Sequence, residues 1–293
     1  MELLHPAYGL HFAGVPDSTP SRPAASTPAT ARLSLGASNR SVSTHEHLRF
    51  QLDHALARDA VQTELDVPLL LRGLQERGLD GLALRSAAPD RRTYLLRPDL
   101  GRRLQPDSVL ALQRLSPVIR SEAQGAKSKD PENFAPPTTA RELSATKRIL
   151  FLVADGLSAL AIERHALPLL DATLRLIPRP LSLIPVLTNA RVALADPVGQ
   201  LLGAQMTVLL IGERPGLSSP DSLGVYLTWN PRPGRTDAER NCISNIRHEG
   251  LSYAEAAHRI AHYIQEAQRL HTTGIALKDP PSPLLLESLD RVP

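Results

Sequence analysis

The chain has 293 residues, which allows one large domain or two of ordinary size. Its content of 42% hydrophobic and 22% charged residues is typical of a globular protein with a sizeable core. The formal net charge of +3 is too small to indicate nucleic-acid binding, and 3% aromatic residues argue against a platform for stacking bases. The single cysteine excludes an intramolecular disulfide and any metal site built from several cysteines.

The apolar stretches of the chain are short. The longest uninterrupted ones, at 149–154 and 206–211, are far below the ~18 residues that a membrane-spanning helix needs. The first residues lack the cationic and apolar regions of a signal peptide. We therefore expect a soluble protein of the reducing cytoplasm.

Composition divides the chain into four parts. Residues 1–43 are rich in Pro, Ser, Thr and Ala and have few large apolar side chains, which predicts a flexible arm. Residues 44–120 are predicted to form a small helical domain. Residues 121–147 are polar and lack periodicity, which predicts a linker or an inserted loop before a Rossmann-like domain at 148–293.

The helical domain is predicted from spacing and from proline positions. Apolar residues recur at the spacing that one buried helical face requires, at Leu48, Leu52, Leu56 and Val61. Pro68 and Pro106 stand where two further helices can begin, because proline is tolerated in the first turn.

Short apolar runs after residue 148 predict β-strands. They alternate with stretches of helical periodicity, and two of them are apolar on both faces, as is typical of parallel strands covered by helices. We therefore expect an α/β fold with a Rossmann-like, mostly parallel sheet and flanking helices. The predicted strands are 149–154, 181–187, 206–212 and 223–229, and the predicted helices are 158–175, 196–203 and 252–270.

Polar segments follow three of these predicted strands, and they contain Asp155, Asn189 and Glu213. Ligands bind beyond the carboxyl ends of the strands in an open parallel sheet, so we expect these segments to meet in a polar crevice. Structural alternatives remain open. Asp155 and Ser158 can form a turn and a helix N-cap, and Glu213 can form a solvated ion pair with Arg214.

Common catalytic motifs are absent from the sequence. It contains no glycine-rich dinucleotide fingerprint, no P-loop and no nucleophile elbow. Cys242 has no neighbouring His or Cys to lower its pKa, which indicates a small, inert, buried side chain. His45 and His47 would need a third metal ligand that the sequence does not show. These patterns therefore predict a polar crevice at the strand ends but do not identify the ligand that it binds.

Several segments carry a more specific pattern. They include ADGLS at 154–158, LLIGERPGL at 209–217 and RNCISNI at 240–246. Further matching segments lie at 48–61, 94–104 and 190–204. Their order, spacing and residue identities resemble those of the small-subunit family of ethanolamine ammonia-lyase, an adenosylcobalamin-dependent enzyme.

This resemblance implies a cofactor site shared between two chains. In the family, a large subunit binds ethanolamine and carries out its radical deamination to acetaldehyde and ammonia, while the small subunit covers part of the cobalamin and supplies no catalytic residue. Three positions match the family's cofactor contacts. Val192 would touch the corrinoid periphery, Glu213 would accept hydrogen bonds from its amide arms, and Cys242 would pack near it. No Asp-x-His-x-x-Gly segment occurs, which is compatible with the base-on cofactor that the resemblance implies.

The resemblance also implies a hetero-oligomer with the large subunit, located in the cytoplasm or within a bacterial microcompartment, with no nucleic-acid or membrane partner. It gives residues 94–104 a role at the subunit contact. Two alternatives come from other classes. One is a stand-alone nucleotide- or corrinoid-binding module with a regulatory role. The other is nucleic-acid binding through Arg97, Arg102 and Arg103, which the small net charge and scarce aromatic residues disfavour.

Overall fold

The computed structural model describes residues 43–124, 149–177 and 182–278. The arm predicted at 1–43 lies outside the described residues except for Ser43. Most of the segment predicted as a linker at 121–147 also lies outside them, so both stay predictions. None of the helices in the described part of the chain has the length and apolar character needed to span a bilayer.

A six-stranded sheet lies at the centre of the described structure. Its strands are β1 (Asp80–Arg85), β2 (Ile149–Ala154), β3 (Leu183–Thr188), β4 (Met206–Gly212), β5 (Leu223–Trp229) and β6 (Arg240–Ile246). Their spatial order is β1-β3-β2-β4-β5-β6, with parallel pairing from β1 to β4 and antiparallel pairing of β5 with both of its neighbours. The prediction of an α/β fold with a mostly parallel sheet is confirmed, whereas a Rossmann-like arrangement in detail stays a prediction.

Helices pack on both faces of this sheet. They are α1 (Thr44–Gln62), α2 (Val67–Gln75), α3 (Arg91–Leu96), α4 (Pro106–Gln124), α5 (Ala159–Leu174), α6 (Ala195–Leu201) and α7 (Tyr253–Leu270). Residues of α2, α5 and α7 join one apolar cluster, and residues of α4 and α6 join a second on the opposite face. Every residue of β2 and β4 is buried, because helices cover both sides of these strands.

The start of α7 follows from its sequence. The Ser252 hydroxyl accepts a hydrogen bond from the Glu255 N–H at 3.2 Å, which is one of the two hydrogen bonds of a Ser-x-x-Glu capping box. The Glu255 carboxylate accepts a hydrogen bond from Arg259 at 2.6 Å. The apolar face of this helix, which includes Ile260 and Ile264, is buried in the core.

Two strands, β1 and β6, are not among those predicted from the sequence. The block at 44–120 was predicted to be helical, but it contributes β1 to one edge of the sheet. Strand β6, at the other edge, is largely polar and gives no apolar run. Strand β5 is predicted at 223–229 without a direction. The connection over 213–222 is shorter than the dozen or more residues that a parallel crossover requires, so β5 runs antiparallel to β4.

The apolar face predicted for the first helix is exposed. Leu48, Leu52 and Leu56 have exposed fractions of 59%, 59% and 48%. The buried residues of α1 are instead Ala57 and Ala60. The helical spacing of the leucines correctly predicts a helix, but the expectation that this face is buried is wrong. We call these three leucines the α1 stripe.

Candidate functional site

The segments that follow β2, β3 and β4 meet beyond the carboxyl ends of these strands, as predicted. The Asp155 carboxylate, directly after β2, accepts hydrogen bonds from the backbone N–H groups of Asn189 at 2.7 Å and Ala190 at 3.0 Å. The Leu157 N–H donates to the carbonyl of Gly212 at the end of β4, at 3.0 Å. Direct hydrogen bonds therefore connect three strand ends.

A buried ion pair holds Asp155 in place. The Nη1 atom of Arg91, at the start of α3, lies 3.2 Å from Asp155 Oδ2, and the two side chains are only 4% and 3% exposed. Arg91 also donates hydrogen bonds to the carbonyls of Gly156 and Val61, both at 2.8 Å. Burial raises the pKa of Asp155 to about 6, although Arg91 and the backbone N–H groups act in the opposite direction. Asp155 therefore organises the strand ends.

Ser158 also has a structural position, as the N-cap alternative predicts. Its hydroxyl accepts a hydrogen bond from the Ala161 N–H at 3.2 Å and donates one to the Pro220 carbonyl at 2.8 Å.

The turn between β2 and Ser158 requires glycine. Gly156 has a φ of 54°, and a Cβ at this position would lie 2.1 Å from the Gly212 carbonyl oxygen.

Two adjoining cavities open beside these strand ends. The first has a volume of about 450 Å³ and is lined by Glu213 among others, and the second has a volume of about 640 Å³ and is lined by Cys242 among others. Arg191, Val192 and Tyr226 line both. Because they share these walls, we treat them as one depression and call it the strand-end cavity.

The structure brings the three predicted cofactor-binding residues to this cavity. Val192 begins a 3-10 helix after β3 and is half-buried in the wall between the two parts. Glu213 follows β4, and Cys242 lies on β6 opposite Tyr226 of β5. The three residues come from three separate strands, yet they line one depression. Their role toward a cofactor stays a prediction.

The Glu213 carboxylate is held through one of its oxygens. Oε2 accepts hydrogen bonds from the Ser222 hydroxyl at 2.5 Å and from the Asn245 N–H at 3.2 Å. Within the described part of the chain, no hydrogen bond reaches Oε1. The alternative of an ion pair with Arg214 is wrong, because Glu213 binds these two groups and Arg214 is exposed. One carboxylate oxygen is thus available as an acceptor.

The Cys242 thiol is exposed, so the prediction of a buried side chain is wrong. Successive residues of a strand face opposite sides of the sheet. Because α7 packs against the side that carries Ile243, the side chain of Cys242 lies on the side that α7 does not cover. Surrounding protein atoms nevertheless desolvate the thiol and raise its pKa, and the charge of Glu213 raises it further, while a hydrogen bond with Tyr226 acts in the opposite direction. A neutral thiol suits packing better than nucleophilic chemistry.

Two residues that the sequence analysis did not single out form the wall beside Val192. Tyr94 is fully buried and donates its hydroxyl to the Ala190 carbonyl at 3.0 Å. Two guanidinium groups lie over its ring, with the Cζ atom of Arg91 5.1 Å and that of Arg191 4.5 Å from the ring centroid. Both Tyr94 and Arg191 lie inside the matching segments, but no periodicity indicates that they stack.

Within the described residues, His45 and His47 belong to no group of side chains that could hold a metal ion. His47 lies on α1 with its Nε2 atom 2.9 Å from the side-chain nitrogen of Gln51. Over residues 43–124, 149–177 and 182–278, no group of three or more His, Cys, Asp or Glu side chains is arranged to hold a metal ion.

Comparison with known proteins identifies the family to which this chain belongs. The sequence model of the family described as ethanolamine ammonia-lyase light chain (EutC) matches residues 22–126 and 130–278. The chain belongs to this light-chain family. The resemblance read from the sequence is therefore confirmed, and it extends over most of the light chain's length.

Relatives that carry the name ethanolamine ammonia-lyase small subunit match this light chain along most of their own length. The protein of Azotobacter vinelandii is 51% identical over 252 residues, which cover 85% of this chain and 84% of the relative. That of Pseudomonas aeruginosa strain LESB58 is 49% identical over 255 residues, covering 85% and 84%. That of Bradyrhizobium diazoefficiens is 46% identical over 267 residues, covering 90% and 89%.

Proposed function

We propose that this chain is the small subunit of an adenosylcobalamin-dependent ethanolamine ammonia-lyase and that the strand-end cavity is its share of the cofactor site. The observation that carries the proposal is the meeting of Val192, Glu213 and Cys242 in one cavity. Membership of the light-chain family supports the enzyme class. The chain would shape the cofactor site, and the large subunit would bind ethanolamine.

The chemistry of the cavity wall fits a corrinoid. Leu157, Val192 and Tyr226 offer apolar surface to the edge of a macrocycle. Oε1 of Glu213 can accept a hydrogen bond from an amide arm, and the guanidinium of Arg191 can donate one to an oxygen of the ligand. A ligand larger than either part of the cavity can lie across both, because they share a wall.

Adenosylcobalamin, when bound, supplies the radical that abstracts hydrogen from ethanolamine. The residues of this chain would bind the periphery of the cofactor, fix its orientation and exclude water from its edge. Acid, base and nucleophile would come from the large subunit. Glu213 therefore acts in this proposal as a hydrogen-bond acceptor for an amide arm and transfers no proton.

Two features support a partner chain. The α1 stripe places three exposed leucines four residues apart, and adjacent exposed apolar side chains are typical of interaction surfaces. Cys242 and Arg214 are exposed, so further protein is needed to enclose a ligand in the strand-end cavity. We propose the large subunit as the occupant of both surfaces, and the cytoplasm or a microcompartment as the location of the complex.

Reconstitution tests this function. The chain is mixed with the large subunit of a relative and with adenosylcobalamin, and acetaldehyde formation from ethanolamine is followed. We expect turnover from the mixture and none from either polypeptide alone. Turnover by this chain alone, or an inactive mixture in which the two chains do not associate, would contradict the proposal.

A substitution tests the cavity itself. Glu213→Ala removes the free acceptor and is expected to weaken binding of adenosylcobalamin to the complex by about tenfold, while the subunits still assemble. Glu249→Ala is the matched control, because this carboxylate is 70% exposed and lies outside the cavity. Unchanged affinity in Glu213→Ala would remove Glu213 from the cofactor site.

A further inference from the structure

Arg191 contributes a positive charge to the wall of the strand-end cavity. Its Nε atom is buried and has no hydrogen-bond partner, and its guanidinium forms no ion pair with a carboxylate of the described residues. Arg240, which is buried on the strand that carries Cys242, also has an Nε atom without a hydrogen-bond partner, but it differs in having a carboxylate partner. Its guanidinium donates to both carboxylate oxygens of Asp196, at 2.8 and 2.6 Å. A partly buried guanidinium that lacks such a partner is suited to an acceptor supplied by a ligand.

Several contacts fix Arg191 in this position. Its guanidinium stacks on the ring of Tyr94, and its backbone N–H donates to the Gly101 carbonyl at 2.9 Å. This packing requires glycine at position 101, since a Cβ there would lie 2.7 Å from the Tyr94 ring and 3.0 Å from Arg191 Cγ. Arg191 is therefore held before any ligand binds, which lowers the entropic cost of binding.

A second cation lines the same part of the cavity. Arg102, on the 3-10 helix Leu100–Arg102, lines the larger part of the cavity and forms no ion pair with a described carboxylate. Arg97, from the same basic cluster in the sequence, is bound to Asp99 through two hydrogen bonds of 2.9 Å and lines neither part of the cavity. Arg97 is thus neutralised by Asp99 at the surface, whereas Arg102 contributes its charge to the cavity.

We infer that Arg191, assisted by Arg102, binds the phosphodiester group in the nucleotide loop of the cofactor. The inference rests on the proposed function, because it takes the ligand to be adenosylcobalamin. The amide arms of that cofactor are neutral, and the phosphodiester is its peripheral anion. A guanidinium presents a planar fork of donors that matches two phosphate oxygens, so two arginines in the wall of one cavity favour this group over an amide carbonyl.

The test compares two probes on the reconstituted two-subunit complex. Adenosylcobalamin carries the phosphodiester, and adenosylcobinamide keeps the macrocycle but lacks the nucleotide loop. We expect Arg191→Gln to weaken the binding of adenosylcobalamin by about tenfold or more and to leave the binding of adenosylcobinamide unchanged. Arg191→Lys keeps the charge and should recover part of the affinity. Arg97→Gln is the control and should bind both probes as the wild type does.

The outcomes separate the inference from the function on which it rests. Equal losses for both probes, or no loss for either, would overturn the role of Arg191 at the phosphodiester while the wild-type complex still binds both. A wild-type complex that binds neither probe would overturn the proposed function as well. If Arg191→Gln does not fold, Arg191→Lys decides by the same comparison of the two probes.

Discussion

The carboxylate of Asp155 and the guanidinium of Arg91 meet at 3.2 Å in the interior, and this pair connects α3 to the end of β2. Arg91 further binds the carbonyls of Gly156 and Val61, so one side chain holds the loop after β2 and the end of α1. Tyr94 lies one helical turn after Arg91 and forms part of the cavity wall. The shape of the strand-end cavity therefore depends on this ion pair.

Removing one member of the pair is expected to destabilise the protein strongly. Arg91→Ala leaves the Asp155 carboxylate buried without its partner, and we expect a loss of about 3–5 kcal/mol in the free energy of unfolding at pH 8. Urea denaturation followed by circular dichroism measures it. Arg97→Ala is the matched control, since its pair with Asp99 is 61% and 43% exposed and is worth about 0–1 kcal/mol. Equally small losses in both variants would contradict the role of Arg91.

The same carboxylate predicts a pH dependence of stability. Burial raises the pKa of Asp155 from 3.8 to about 6, so the folded state binds this proton more tightly than the unfolded state does. The contribution of Asp155 is fully present below pH 3.8 and is lost as the pH rises through 6. The amide side chain of the Asp155→Asn variant cannot titrate. Between pH 4 and 7, the free energy of unfolding of the wild type should therefore fall by about 2–3 kcal/mol relative to that of the variant. The free energies of unfolding are measured by urea titration at each pH. If they change in parallel for the wild type and the variant, the pKa of Asp155 is not raised.

The sequence predicted the interior strands better than the edges of the sheet. Strands β2 and β4 are apolar on both faces because helices cover both, and this produces continuous apolar runs that mark their ends. Strands β1 and β6 lie at the edges, where polar residues are tolerated, so their sequences give no such run. Periodicity also located α1 correctly, but it does not say whether the sheet or solvent faces the α1 stripe.

The candidate site was predictable in part. Ligands bind beyond the carboxyl ends of the strands in an open parallel sheet, and this rule predicted that Asp155 and Glu213 lie together. The family resemblance added Val192 and Cys242. The stacking of Arg191 on Tyr94 was not predictable. It depends on where the loop after α3 folds against the loop after β3, a long-range contact that leaves no trace in local spacing.

The α1 stripe is expected to serve assembly and not folding. Replacing Leu48, Leu52 and Leu56 together by Ser removes an exposed apolar surface, so the thermal unfolding midpoint should change little while the affinity for the large subunit falls by at least about tenfold. Arg58→Ser is the control, because this side chain is 70% exposed and lies away from the stripe on the same helix. Analytical ultracentrifugation of the mixed subunits measures the effect. Unchanged assembly in the triple variant would show that the large subunit binds elsewhere.

Cys242 is the single thiol of the chain and reports on the cavity directly. Its pKa is raised, so alkylation by iodoacetamide should be slow at pH 7 and should accelerate as the pH rises above 9. In the two-subunit complex, bound adenosylcobalamin should slow this reaction further, as peptide mass spectrometry can measure. The control is a Glu249→Cys variant, whose added thiol lies outside the cavity and should react at the same rate with and without the cofactor. Equal rates at Cys242 in the loaded and unloaded complexes would contradict its position at the cofactor.

A structure of the complex of this chain with a large subunit and adenosylcobalamin, determined by crystallography or electron cryo-microscopy, tests the cofactor site most directly. We predict that Val192, Glu213 and Cys242 each have atoms within about 4 Å of the corrinoid. A corrinoid bound out of contact with all three residues would contradict the account.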